Sequence, residues 1–388
     1  MIEFFTPISK EVAKFRKDLP NHTLGKLIDA FVDGNEFPDV QNASMAIVAV
    51  LDTRSADDEI GANLNPNSVR KELYKLYKGN WDSKIVDLGD VISGHRREDS
   101  RYALKIIVEG LVKLNVIPII LGGSQDLVYG QYRAYDGIAK MVTVVNIDSR
   151  FDIGDSEAPM ANTSYVGKMI VDEPFNLHHY AVLGYQSFFN PPEEIALMDK
   201  LYFDAYRLGE VTADISIAEP VLRNADVVCL DISAIKSADL RCRSQVNPNG
   251  FDGREICALA RYAGISNRVS SFGIYEIPEE IDTQGAILLA QILWYFMEGV
   301  NFRIADEHFE NTELYTHYVV PLEEMDLTFI RSNKSDRWWM ELPFLEGHDN
   351  KFNRHTLLPC TKADYLAACN QEIPERWLKA RLKNEINL

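Results

Sequence analysis

A doubly wound α/β fold, with a mostly parallel sheet covered by helices on both faces, is what this 388-residue sequence predicts. Short apolar runs recur along the chain. Several lack the polar alternation of a half-exposed strand, and stretches of helical period lie between them. Together these three observations point to βα alternation and a buried parallel sheet.

The first run is MAIVAVL at 45–51, followed by a candidate helix, NSVRKELYKLY, at 67–77. REDSRYALKIIVEGLVKL (97–114) reads as a longer helix leading into the strand VIPIIL (116–121). MVTVVNI (141–147), YAVLGY (180–185) and DVVCLDI (226–232) supply the next strands. GREICALARYAG (253–264) reads as a helix, and RVSSFGIYEI (268–277) as the last strand of the pattern. The alternating domain is therefore placed at 41–300, with an N-terminal extension at 1–40 and a C-terminal extension at 301–388. Three of the five tryptophans, Trp338, Trp339 and Trp377, lie in that last segment, so it is expected to be folded. Packing on the main domain is its first expected role, and contact with a protein partner the second.

The 40 basic and 58 acidic side chains give a formal charge of −18, which opposes contact with phosphate backbones or anionic lipid. No nucleic-acid partner is expected. Cys229, Cys242, Cys257, Cys360 and Cys369 form no close metal-binding or CxxC spacing and read as reduced thiols. The apolar run AILLAQILWYFM (286–297) is too short to span a bilayer and is broken by Gln291, so no membrane insertion is expected. The first residues lack the order of a signal peptide, and a cytoplasmic location is the expectation.

Ligands of such sheets sit outside the carboxyl ends of the strands. The informative positions are thus Gly122 to Asp126, Asp148 to Asp152, Asp231 to Lys236, and Glu276. In NIDSRFD, residues Asp148, Arg150 and Asp152 share a face if the backbone is extended, so the two carboxylates would flank one guanidinium. In CLDISAIKSAD, Asp231 and Ser233 repeat that spacing, with Lys236 shortly after.

The order of motifs, GANLNPNSVRKEL, IVDLGDVI, LGGSQDL, NIDSRFD, LGYQ, CLDIS, NPNGFDGRE and IYEIPEEID, resembles the ureohydrolase family of arginases, agmatinases and formimidoylglutamases. It is closest in character to the formimidoylglutamases and runs from roughly residue 45 to 300. The resemblance implies an arginase-like three-layer fold. It also implies a pair of manganese ions that turn a bridging water into a nucleophile toward a guanidino or formimidoyl carbon. The implied ligands come from Gly-Gly-Asp-His, Asp-Ala-His-x-Asp and Asp-x-Asp-x-x-Asp-Pro stretches.

Matched residue by residue, the two histidine positions hold Gln125 and Arg150, and the last stretch holds Asp231, Ser233 and Lys236. Only Asp148, Asp152 and Asp231 keep the family's ligand type. A guanidinium has no acceptor and stays protonated, so Arg150 cannot ligate a metal. It is expected to pair with the aspartates in place of the ions, with Lys236 adding charge. Gln125 and Ser233 offer manganese poorer donors than imidazole and carboxylate.

No resident cofactor is therefore expected, and manganese only if the chain is active. A single hard cation on Asp148, Asp152 and Asp231 is the remaining metal candidate. Glu276 matches the family glutamate that faces the cationic end of the substrate, and its bland reading is an ion pair with a nearby basic residue. None of the eight histidines repairs the site by motif, and Ser124, Ser149 and Ser233 come without a base.

The expected function is a catalytically silent ureohydrolase-fold protein acting as a binding or scaffolding subunit. The alternative is an active C–N hydrolase of amidine or guanidino substrates, of the formimidoylglutamase or arginase type, with an atypical metal site. The resemblance implies a homo-oligomer, while the extra tail offers a surface for a heterologous partner. Loss of catalysis would leave room for a place in a larger assembly, such as secretion or motility machinery.

Overall fold

The computed structural model describes residues 1–54, 64–138, 141–240, 247–278, 281–323, 325–343 and 357–386. Cys242 and parts of two quoted motifs, 61–63 and 279–280, lie outside the described residues.

The main sheet is built from β1 (Phe5–Thr6), β2 (Asp29–Ala30), β3 (Met45–Val50), β4 (Ile85–Val91), β5 (Ile117–Gly122), β6 (Val142–Ile147), β7 (Leu177–Tyr185), β8 (Asp204–Arg207), β9 (Val227–Asp231) and β10 (Ser271–Tyr275). Its order is β1-β4-β3-β5-β10-β9-β6-β7-β8, with β2 also pairing β4. Every pairing is parallel except β1 with β4. The chain lays down one flank through β5 and the other through β6 to β9. It then returns to insert β10 between β5 and β9. A strand order that reverses in this way opens a crevice at the carboxyl ends.

The missing polar alternation has a direct cause. Met45, Ile47 and Ala49 of β3 enter one core, while Ala46, Val48 and Val50 enter the other. β9 divides likewise, with Val228 and Leu230 on one side and Val227 and Cys229 on the other. Helices Gly253–Ile265 and Thr283–Asn301 cover the first face, and Arg97–Lys113 covers the second. Gly264 lets the first two helices touch, since a Cβ there would lie 2.3 Å from the Phe296 carbonyl oxygen. Part of the NPNGFDGRE motif serves this helix: Asp252 accepts from the Arg254 and Glu255 amides, and Glu255 accepts from the Asp252 amide.

The early motifs also have a structural role. Arg70 is fully buried, with its guanidinium on Asp87 (2.9 and 3.1 Å), the Gly89 carbonyl (2.8 Å) and Asp90. Tyr74 Oη donates to Asp87 at 2.8 Å. Thus the Asp-x-Gly-Asp strand end is tied to the helix Asn67–Lys75.

The tail forms an antiparallel sheet of β11 (Tyr315–Pro321), β12 (Asp326–Ser332), β13 (Trp338–Glu341) and β14 (Leu357–Cys360), with helices Lys362–Cys369 and Glu375–Ile386. Its three tryptophans are buried. Trp338 stacks on Tyr318 and Tyr365, Trp377 Nε1 donates to the Glu341 carbonyl at 2.8 Å, and Trp339 lies under the Arg223 guanidinium at 4.5 Å. Arg223 also donates to the Trp338 and Cys360 carbonyls, which joins this sheet to the main domain. Among the described residues no helix is long and apolar enough to cross a membrane.

Candidate functional site

β5, β10, β9 and β6 are consecutive neighbours, so the residues ending them line one crevice. Gly123 allows the first loop to bend inward, because a Cβ there would meet the Asp52 carbonyl oxygen at 2.0 Å. The Ser124 amide donates to that same carbonyl at 3.0 Å. This turn aims Gln125, which is fully buried, at the centre of the crevice.

The Gln125 amide group makes three bonds there. Its Nε2 donates to Asp148 Oδ2 at 2.7 Å, to Asp152 Oδ2 at 3.3 Å and to Tyr165 Oη at 3.0 Å. Its backbone amide donates to Glu276 Oε1 at 2.7 Å. Asn146 continues the network to Tyr165 and to Tyr180, whose hydroxyl donates to the Phe151 carbonyl at 3.0 Å. Asp231 accepts from the Ser233 amide at 2.6 Å, and the Ser149 and Ser233 hydroxyls lie 3.3 Å apart.

Three expectations are corrected. Arg150 does not lie between Asp148 and Asp152: its side chain is exposed, donates to the Phe189 carbonyl at 2.9 Å and stacks on the Phe189 ring at 4.8 Å. The segment is not extended, since Asp152 has φ +53°, so alternate residues do not share a face. A solvated, ring-stacked guanidinium also avoids the desolvation that the crevice would impose. Lys236 is not the compensating charge either, because it faces Asp239 (3.7 Å) and Asp252 (4.0 Å). The bland reading of Glu276 as an ion pair also fails: its carboxylate accepts from the Gln125 amide and from Asn162 Nδ2 at 3.2 Å, and its backbone has φ +60°.

The crevice therefore gathers acids without a partnering cation among the contacts described. Burial pushes the Asp152 carboxyl well above its ordinary range, and the charges of Asp148 and Asp231 add to the effect. Burial does the same for Asp231, reinforced by Asp148 and Glu276. Glu276 is raised by burial to about 7, against the hydrogen bonds from Gln125 and Asn162. Acids in such surroundings neutralise by holding protons.

Tyr165, Tyr180 and Asn162 had no motif to announce them. Tyr165 lies on a short helix, Tyr165–Val171, and meets Gln125 across 40 residues of chain, so only the fold brings it to the site.

The sequence profile of the Arginase family matches residues 43–298, the stretch that builds the crevice. The chain belongs to the Arginase family. Among curated members of this family, the formimidoylglutamase of Streptococcus gordonii is 25% identical over 62% of this chain and 78% of its own length. The formimidoylglutamase of a Geobacillus strain is 28% identical over 57% and 71%. Among solved structures, Trypanosoma cruzi formiminoglutamase, determined with manganese, superposes with a TM-score of 0.62 at 17% identity, covering 69% of this chain and 100% of that one. Thermoplasma volcanium agmatine ureohydrolase superposes at 0.58, covering 74% and 97%. At these identities the structural likeness is one of fold.

The residues present do not fit a two-manganese centre. Where the family places a ligand imidazole, the Gln125 amide points its N–H bonds at the carboxylates, and Arg150 cannot coordinate in any orientation. Among the described residues no group of three or more His, Cys, Asp and Glu side chains is arranged to hold a metal ion.

Proposed function

We propose that this Arginase-family protein is catalytically silent as a manganese-dependent amidine hydrolase and acts as a binding or scaffolding subunit. The observation that carries the reading is the Gln125 amide, hydrogen-bonded at once to Asp148, Asp152 and Tyr165. It ties together the carboxylates that would otherwise face a metal. Ser233, at another replaced position, brings a hydroxyl where a carboxylate would be needed to balance two divalent ions, and Lys236, turned toward Asp239 and Asp252, offers no donor. In this reading the chain uses no resident metal. The acidic crevice, Glu276 included, remains able to receive a small cationic or amide-bearing molecule, and the tail sheet is the added surface for a partner. The partner is another protein, or a further copy of this chain, in a larger assembly.

A second reading, an active hydrolase of the formimidoylglutamase type, is favoured by the names of the curated relatives. It is also favoured by the position of Arg150, whose side chain bonds to Phe189 and makes no ion pair with Asp148, Asp152 or Asp231. The two readings separate in one experiment. The full-length protein, incubated with manganese, is assayed for formamide or urea release from formimidoylglutamate, agmatine and arginine. No release above a manganese blank supports the silent reading, and chelator-sensitive turnover overturns it. The triple change Gln125→His, Arg150→His and Ser233→Asp is expected to raise manganese affinity, and no gain would count against the assignment of these positions.

A further inference from the structure

A second cluster of reactive side chains lies on the opposite side of the sheet, at the seam with the tail. β7 and β8 begin at Leu177 and Asp204, so their amino ends face away from the crevice. Against them the helix Glu375–Ile386 lays Arg376, Lys379 and Lys383. Lys383 Nζ is 3.0 Å from His179 Nδ1, and His179 Nε2 is 3.0 Å from Asp204 Oδ2. The carboxylate accepts from Nε2–H, which fixes the tautomer and leaves Nδ1 to accept from the amine. Nucleophile, base and orienting acid are thereby held within hydrogen-bond reach.

The relay borders space that a ligand could use. Lys383, His178 and His179 line a partly open cavity of about 60 Å³, and Lys383 and His178 also line a groove of about 310 Å³. Lys379 contributes a cation 3.8 Å from Asp204 and 2.8 Å from Glu375, while Arg376 faces Asp364 at 3.3 Å. Burial pushes the Lys383 ammonium down to about 7, although Asp204 opposes this. Burial and the charge of Lys383 also lower His179, against the bond to Asp204, so the imidazole is neutral and able to accept. A free amine with a base behind it is the form of lysine that attacks carbonyl carbon.

We propose that Lys383, backed by His179 and Asp204, is a nucleophilic amine that forms an imine with a small 2-oxo acid at the seam between tail and sheet. The Nζ lone pair adds to the carbonyl carbon, and the C=O π pair becomes an alkoxide that takes up the proton Nζ loses, relayed through His179. The carbinolamine then gives up its hydroxyl and the remaining nitrogen proton as one water, leaving the C=N bond. No oxidant or reductant is consumed. Lys379 and Arg376 line the same cavity, from which they can attract the ligand carboxylate, and its volume of about 60 Å³ favours a short chain.

The test is reductive trapping of the full-length protein at pH 7 with glyoxylate and cyanoborohydride, followed by peptide mass mapping. A carboxymethyl group is expected on Lys383 at least about ten-fold ahead of exposed lysines such as Lys10, because a larger free-amine fraction outweighs a weaker nucleophile. His179→Gln, with unchanged thermal unfolding, is expected to slow labelling of Lys383 several-fold, and Asp204→Asn to do so less. Labelling spread over surface lysines with Lys383 left unmodified would overturn the proposal. So would His179→Gln protein that labels Lys383 as fast as the wild type. The wild-type labelling pattern decides the matter even if a variant fails to fold.

Discussion

Replacing Arg70 with methionine removes the cation that holds the early strand end to its helix. The guanidinium makes two bonds to Asp87, one to the Gly89 carbonyl and one to Asp90, and both Arg70 and Asp87 are fully buried. Breaking a buried pair by deleting one partner costs about 3–5 kcal/mol, because the other charge is left uncompensated. Asp87 would keep the Tyr74 hydroxyl at 2.8 Å and the Gly89 amide at 3.0 Å as donors, which places the expected loss near the lower figure. With an unfolding entropy of about 2.1 cal/mol/K per residue, 388 residues give about 0.8 kcal/mol per degree, so Tm should fall by about 4 °C. Scanning calorimetry with urea titration measures both quantities. Adding Asp87→Asn removes the stranded charge and should restore at least about 1 kcal/mol relative to Arg70→Met alone. A loss below about 1 kcal/mol for Arg70→Met, or strictly additive effects in the double variant, would refute the buried-pair account.

Glu276→Gln keeps an oxygen acceptor for the Gln125 amide and Asn162 but removes a titrating group. Because the folded-state pKa of Glu276 lies near 7, above the ordinary 4.5, the folded protein binds the extra proton between those values. The contribution of Glu276 to stability therefore falls as pH rises from about 4.5 to about 7 and is flat above. The full effect is roughly 3 kcal/mol, and the variant should lose that slope in urea titrations at pH 5 and 8. An unchanged slope would mean that Glu276 titrates normally. Gly264→Ala forces a methyl group against the Phe296 carbonyl and should cost about 1–3 kcal/mol of overpacking. A neutral result in thermal unfolding would contradict the close crossing of helices Gly253–Ile265 and Thr283–Asn301.

The sheet was legible where burial on both faces wrote itself into the sequence. β3 and β5 are uninterrupted apolar runs, and β6 and β9 are mostly apolar, because each serves two cores. β1 and β2, two residues each, and β8, with the sequence DAYR, carry no such run and were not legible. The identities at Gln125, Arg150, Ser233 and Lys236 could be read directly. Side-chain direction could not be read. The left-handed backbone at Asp152 breaks the alternation that would have turned Arg150 inward, and Phe189, which captures it, lies 39 residues away. The seam relay was beyond reach for the same reason, since His179 and Lys383 are separated by 204 residues.

On the reading proposed above, the crevice does not take the manganese pair that the fold suggests. The most direct test is metal content by mass spectrometry on protein purified without chelators, incubated with manganese and desalted. The wild type is expected to retain no stoichiometric manganese. One or two manganese ions retained per chain, lost on changing Asp148 or Asp231 to asparagine, would contradict that reading.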